Sequence, residues 1–230
     1  MSATSAAVLA AAAPATFVRS TVGRKVIMAV TGFILFGFVL AHLAGNLLLY
    51  RGPEAMRDYA LFLRSFLHGA GLWIARSGLL LSAVLHVWSA TSLTLQSWAA
   101  RPVGYRKWEA RDSTYASRTM RWSGYILLAF IVYHLMHFTL GTAHPDFKEL
   151  QPYHNVVAGF RVVPVSLFYI VAMVLLGLHL DHGAWSMLRT LGLGHPRYAR
   201  YARLASAAFA ILIVVGNVSF PIAVLLGLIR

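Results

Sequence analysis

Four long apolar stretches each carry a histidine among residues otherwise suited to lipid: His42 within Leu40-Ala41-His42-Leu43-Ala44-Gly45-Asn46, His86, His134 (with His137) and His182 (with His179). An ionisable side chain at membrane depth is costly unless it has a partner. Four helices with one buried imidazole each supply two pairs, and two axial imidazole pairs are what two b-type haems need. The chain has no cysteine. That removes disulfides, thiolate-held iron–sulfur clusters and c-type haem attachment. Redox chemistry here would use imidazole ligands or a cofactor in another subunit.

The elements that must position these histidines follow from composition. Of 230 residues 59% are hydrophobic, and mean hydropathy is +0.67. The class is therefore an all-α integral membrane protein. Val26–Tyr50 contains no acid or base. About 25 residues at ~1.5 Å each span a bilayer core of ~30 Å. The pattern predicts a single five-helix membrane domain over 26–230, with helices at about 26–50, 72–98, 122–142, 162–188 and 204–229. Pro53-Glu54-Ala55-Met56 opens a short interfacial helix carrying Tyr59, Leu63 and Phe66. Residues 143–161 read as a connection.

The net charge of +13 comes from 20 basic and 7 acidic residues. A nucleic-acid partner is one meaning of such an excess. Its distribution argues for topology instead. The bases gather before the first helix (Arg19, Arg24, Lys25) and in the second and fourth connections, whereas 143–161 is nearly balanced. All three basic segments fall on one side of a five-helix weave. The positive-inside rule then puts residues 1–25 in the cytoplasm as a tail and the C-terminus outside. Met1–Thr16 is Ala-rich and has no Lys or Arg, so it lacks the positive region of a secretory signal.

Rise per residue gives depths. His42 lies ~24 Å and His134 ~18 Å from the cytoplasmic starts of their helices, which places the first in the outer half and the second middle to outer. His86 lies ~21 Å and His182 ~27–30 Å inward from the outer starts of theirs. The outer pair is His42 with His134, and the inner pair is His86 with His182. Depth favours His134 over His137 but does not choose between His179 and His182. Gly45 and Gly183, close to ligand candidates, would admit a porphyrin. Arg24, Lys25, Arg118 and Arg121 sit at the cytoplasmic ends of helices, where they could meet haem propionates or mark topology. Asp181 could assist proton movement or pair with a base.

Three motifs carry a family resemblance. Gly23-Arg24-Lys25, Thr31-Gly32 and His42-Leu43-Ala44-Gly45-Asn46 resemble the first helix of the cytochrome b membrane anchor of succinate dehydrogenase. The likeness is to the five-helix, di-haem type related to bacterial fumarate reductase. Ser117-Arg118-Thr119-Met120-Arg121-Trp122 with His134-Leu135-Met136-His137-Phe138 resembles its third helix, and Gly177–Ser186 its fourth. The resemblance implies axial ligands at His42, His86, His134 and His182, paired 42/134 and 86/182, and leaves His137 and His179 as secondary histidines. It implies partner subunits on the cytoplasmic face: a flavoprotein with FAD and an iron–sulfur subunit. Electrons would pass from the clusters through two b haems to a quinone, menaquinone rather than ubiquinone, in the bacterial cytoplasmic membrane. Some fumarate reductase relatives carry a proton-transferring glutamate two residues before the fourth-helix ligand. Leu180 stands there in this chain, so that route does not transfer. Glu54, Tyr59 and Arg76 are candidates for quinone contacts.

Two other functions compete. One is a fumarate reductase-type anchor or another di-haem b subunit of a quinone oxidoreductase. The ligands of bc-type cytochromes, however, come in same-helix pairs about four turns apart, and no helix here shows one. The other is a histidine-lined proton channel or transporter, which would be colourless.

Overall fold

The computed structural model describes residues 17–100 and 115–230, and the described residues form an all-helical bundle without strands. The elements are α1 (Thr21–Asn46), α2 (Pro53–Ser65), α3 (Ala70–Ala99), α4 (Tyr115–Phe138), α5 (Pro152–Arg161), α6 (Val163–Thr190) and α7 (Ala199–Leu225). Ser20 starts α1 by accepting the Gly23 N–H at 2.9 Å through its Oγ. This satisfies one of the orphan donors of a first turn. Arg24 and Lys25 consequently lie inside the helix, not in a tail. A proline stands at the first or second position of α2, α5 and α6, where the missing N–H costs no hydrogen bond. Between α2 and α3 the chain turns sharply through Phe66–Gly69, with Leu67 and His68 at φ 50° and 55°. Gly69, at φ 88°, completes the turn.

Thr21–Arg51, Pro53–Ala99, Val163–Thr190 and Pro196–Leu225 are long and apolar enough to cross a membrane. Large apolar side chains point outward along them, among them Phe33, Leu80, Val84, Ile211 and Val215. Such a surface suits lipid and not water. With its buried interior, it makes the chain an integral membrane helical bundle. The third expected helix, placed at 122–142, runs instead over Tyr115–Phe138, and 139–142 form a turn. The expected connection 143–161 contains α5, which packs against α2.

Side-chain contacts join the ends that an antiparallel weave brings together. At one end the Thr21 hydroxyl of α1 lies 3.3 Å from Gln96 Oε1 of α3. Arg121 of α4 lies over Trp98 of α3, and Arg203 of α7 over Trp185 of α6. This end holds most of the described bases, and is called the basic end below. At the far end Tyr50 donates to Ser219 Oγ at 2.7 Å, and Tyr153 to the Arg230 carbonyl at 3.1 Å. Lipid offers no hydrophobic force between helices, so close backbone approach does the work. Gly177 of α6 accepts Val214 of α7, and Gly216 of α7 accepts Leu43 of α1. The α6 stripe Ser166, Tyr169, Met173, Gly177, Leu180 and Ala184 is buried at helical spacing.

Candidate functional site

The histidines meet at two levels of the bundle. At the far level the rings of His42 (α1) and His134 (α4) stand 5.8 Å apart between centroids and nearly perpendicular. At the level nearer the basic end His86 (α3) faces His179 (α6), with centroids 6.4 Å apart. The levels have a common register. Gly32 faces His86 and precedes His42 by ten residues; Gly124 faces His179 and precedes His134 by ten. Ten residues are ~15 Å of helix, so α1 and α4 each separate the two levels equally.

The structure thus joins His42 to His134, and it places His179, not His182, opposite His86. His182 lies one turn closer to the basic end, and the charges nearest to it are Arg203 and Asp181. Asp181 pairs with Arg203 at 3.4 Å, while its Oδ1 is buried without a partner.

The near pair is set by its neighbours. His86 Nδ1 lies 3.1 Å from the Met28 carbonyl and 3.3 Å from Thr31 Oγ1. A carbonyl only accepts, so His86 carries its proton on Nδ1. The Thr31 hydroxyl spends its own proton on Ile27 O at 2.7 Å, leaving its oxygen to accept. His179 repeats this arrangement. Its Nδ1 lies 3.4 Å from Ser123 Oγ, which donates to Met120 O at 3.2 Å. Each Nε2 is left with a free lone pair directed away from these partners. Metal-binding imidazoles are held in this way, with the second nitrogen donating to a carbonyl or other oxygen.

These pairs fit haem iron. An imidazole nitrogen sits about 2 Å from a bound first-row metal, and the ring centre about 1.1 Å behind it, so two trans ligands have centroids about 6 Å apart. The observed 6.4 and 5.8 Å match that spacing. Among the described residues no group of three or more His, Cys, Asp or Glu converges on a metal. A macrocycle would supply the remaining ligands of a metal held by two such imidazoles. Two polar atoms toward the basic end from the near pair are buried and unpartnered: Arg24 Nε and Ser89 Oγ. Ser89 lies one turn beyond His86, and Arg24 one turn before Met28; both suit a propionate at that end. Arg24 also lies over Trp88 at 5.9 Å. Lys25, Arg118 and Arg121 are exposed at the same end.

The far pair has a polar second layer. Tyr169 of α6 places its hydroxyl 3.3 Å from His134 Nδ1 and 3.0 Å from His137 Nδ1. His137 is fully buried, and its Nε2 has no partner. Its ring stacks on His144 at 4.8 Å. α5 covers both. A Cβ on Gly159 would stand 2.8 Å from His137 Cε1 and 3.1 Å from His144 Nε2. Replacing Gly159 with alanine should therefore cost about 1–3 kcal/mol of overpacking. The expected reading is a lower thermal unfolding midpoint in detergent with the helix content retained; an unchanged midpoint would show that α5 yields freely. At the loop surface, the His154 hydrogen bond at 2.8 Å holds the Asp146 carboxyl below its ordinary range, with Lys148 adding to the effect.

Of the two glycines expected to give a porphyrin room, one is filled by protein and the other is open. Gly45 receives the Tyr59 ring, and a Cβ on Gly183 would meet nothing within 4 Å. The glycines against histidine rings are Gly32, Gly124 and Gly159. Thr31, Ser123 and Tyr169 were also missed as partners of histidines. Of the quinone candidates, Arg76 precedes His86 by ten residues, which puts it at the far-pair level, but it is exposed and lies over Trp73. Glu54 is exposed on α2. Among the described residues no hydrogen bond or ion pair joins Glu54, Tyr59 and Arg76.

Fold and site define a membrane helical bundle with paired histidines at two depths. A model of the succinate dehydrogenase/fumarate reductase transmembrane subunit family matches residues 101–218. The chain belongs to that family. No curated protein and no solved structure gives a match.

Proposed function

We propose that the chain is the haem-bearing membrane anchor of a succinate dehydrogenase, carrying electrons between an iron–sulfur subunit and a membrane quinone. The observation that carries this reading is the pairing of imidazoles at 5.8 and 6.4 Å on four different helices. His42 and His134 would hold one b haem; His86 and His179 would hold the other. Bound haems supply one-electron centres at two depths of the membrane. Met28, Thr31 and Ser123 fix the near-pair tautomers, and Arg24 and Ser89 offer the near propionates polar partners.

The family supports docking of a flavoprotein with FAD and an iron–sulfur subunit. The bases at one end of the bundle support that end as the cytoplasmic, docking face, with five spans including α4 and a bacterial inner-membrane location. Menaquinone is the proposed acceptor.

The test is a reduced-minus-oxidised spectrum with pyridine haemochrome quantitation on the purified complex. Two b haems per chain are expected, falling to one in His42→Ala and in His134→Ala. A colourless, fully assembled complex would overturn the reading and favour a histidine-lined proton path.

A further inference from the structure

We infer that Tyr169 is a positioning residue for the far pair, and that His137 orients the Tyr169 hydroxyl; the inference rests on the axial role proposed for His134. Tyr169 is buried on α6 with its hydroxyl between two imidazole nitrogens, at 3.3 Å from His134 Nδ1 and 3.0 Å from His137 Nδ1. A phenol has one proton to give and lone pairs to receive. An imidazole that binds iron through Nε2 keeps its proton on Nδ1, so His134 donates to the Tyr169 oxygen. The Tyr169 proton then goes to the closer nitrogen, His137 Nδ1. The direction of the chain is fixed: His134 Nδ1–H to Tyr169 O–H to His137 Nδ1.

The surroundings of His137 agree. With Nδ1 accepting, its proton sits on Nε2, the atom that is buried without a partner beneath Gly159. His144 cannot relieve it. The His144 Nδ1 accepts the Asp146 N–H at 3.0 Å, so its Nε2 carries the proton and donates to the Asn155 carbonyl at 2.8 Å. Among the described residues the only hydrogen bond of His137 is the one to Tyr169. An unpaired buried donor is costly, and a leucine would avoid it. The ring's one polar service is to take the Tyr169 proton.

That service has an electronic consequence. Donating to His137 makes the Tyr169 oxygen a stronger acceptor. The stronger acceptor pulls on the His134 Nδ1 proton and makes the ring a more basic ligand. A more basic axial ligand favours oxidised iron. The far haem is thus tuned by two side chains, whereas His86 of the near pair donates to a backbone carbonyl.

The experiment is an absorbance-monitored redox titration of the whole complex, with the far haem identified by its loss in His42→Ala. Tyr169→Phe should raise the far midpoint potential by about tenfold in the reduction equilibrium, 59 mV for a one-electron couple, and leave the near one in place. His137→Leu should shift it the same way by less. His137→Asn, whose Oδ1 stands where Nδ1 stood, should restore it. The double variant Tyr169→Phe/His137→Leu should move it no further than Tyr169→Phe alone. Should Tyr169→Phe fail to assemble, the contrast between His137→Leu and His137→Asn carries the same test. Both haems present with an unmoved or lowered far midpoint overturns this inference alone. A wild-type complex without haem overturns the axial reading and this inference with it.

Discussion

Replacing His179 with alanine should remove one of two haems from the chain, while replacing His182 should leave both. The family resemblance implies the opposite for the fourth helix, so the two variants separate the structure from the resemblance. His179 stands across from His86 with its Nδ1 on Ser123 and Gly124 behind its Cε1. His182 is only half-buried and lies one turn nearer the basic end, next to Asp181 of the Asp181–Arg203 pair. The one turn between them is ~4.5 Å along the helix, larger than the whole metal-to-nitrogen reach of about 2 Å. Only one of the two can ligate without a shift of α6. Haemochrome quantitation on the assembled complex reads the result directly: one haem per chain for His179→Ala, two for His182→Ala. The reverse pattern would mean that α6 slides or rotates by about a turn when haem binds. A partial loss at His182 with retained absorbance would still count for His179 as the ligand.

The fold was largely legible from the chain. Long apolar runs leave little choice but helices, and the rise per residue alone matched His42 to His134. Near the basic end the same arithmetic paired His86 with His182, whereas the structure puts His179 opposite His86. His179 and His182 differ by one turn, and the expected start of that helix is uncertain by about as much. What decides between them is the axial register of α6 against α3 and α4, held by packing along the stripe from Ser166 to Ala184. Packing fixes such a register; composition does not. The glycines teach the same lesson. Gly32 and Gly183 look alike in sequence, yet only Gly32 meets a ring, because its place depends on the register of α1 against α3. α5 was missed for a different reason. Residues 143–161 are polar and interrupted, and a ten-residue helix earns little from its own propensity. Pro152 at its start was the available signal. Tyr169 had no local signal at all. Its role depends on lying level with His134, on a helix that runs the other way.

The Asp181–Arg203 pair supports the second large effect. The sequence left Asp181 either a proton carrier or the partner of a base, and the structure provides the base. Removing Arg203 as Arg203→Met leaves a carboxylate with neither oxygen partnered, since Oδ1 has no donor even now. Breaking a well-buried pair costs about 3–5 kcal/mol. The Arg203 and Asp181 side chains are 35% and 21% exposed, so solvent screening brings the expected loss to about 1–3 kcal/mol. Asp181→Asn should cost less, because the remaining guanidinium is the more exposed partner and still lies over Trp185 at 6.0 Å. The double variant Asp181→Asn/Arg203→Met should recover part of what the single arginine change loses, since no charge is then stranded. Thermal unfolding of the complex in detergent gives the order wild type, Asp181→Asn, double, Arg203→Met. A double variant as unstable as Arg203→Met would show that the arginine acts through its packing on Trp185, and the carboxylate would then be free to take part in proton movement.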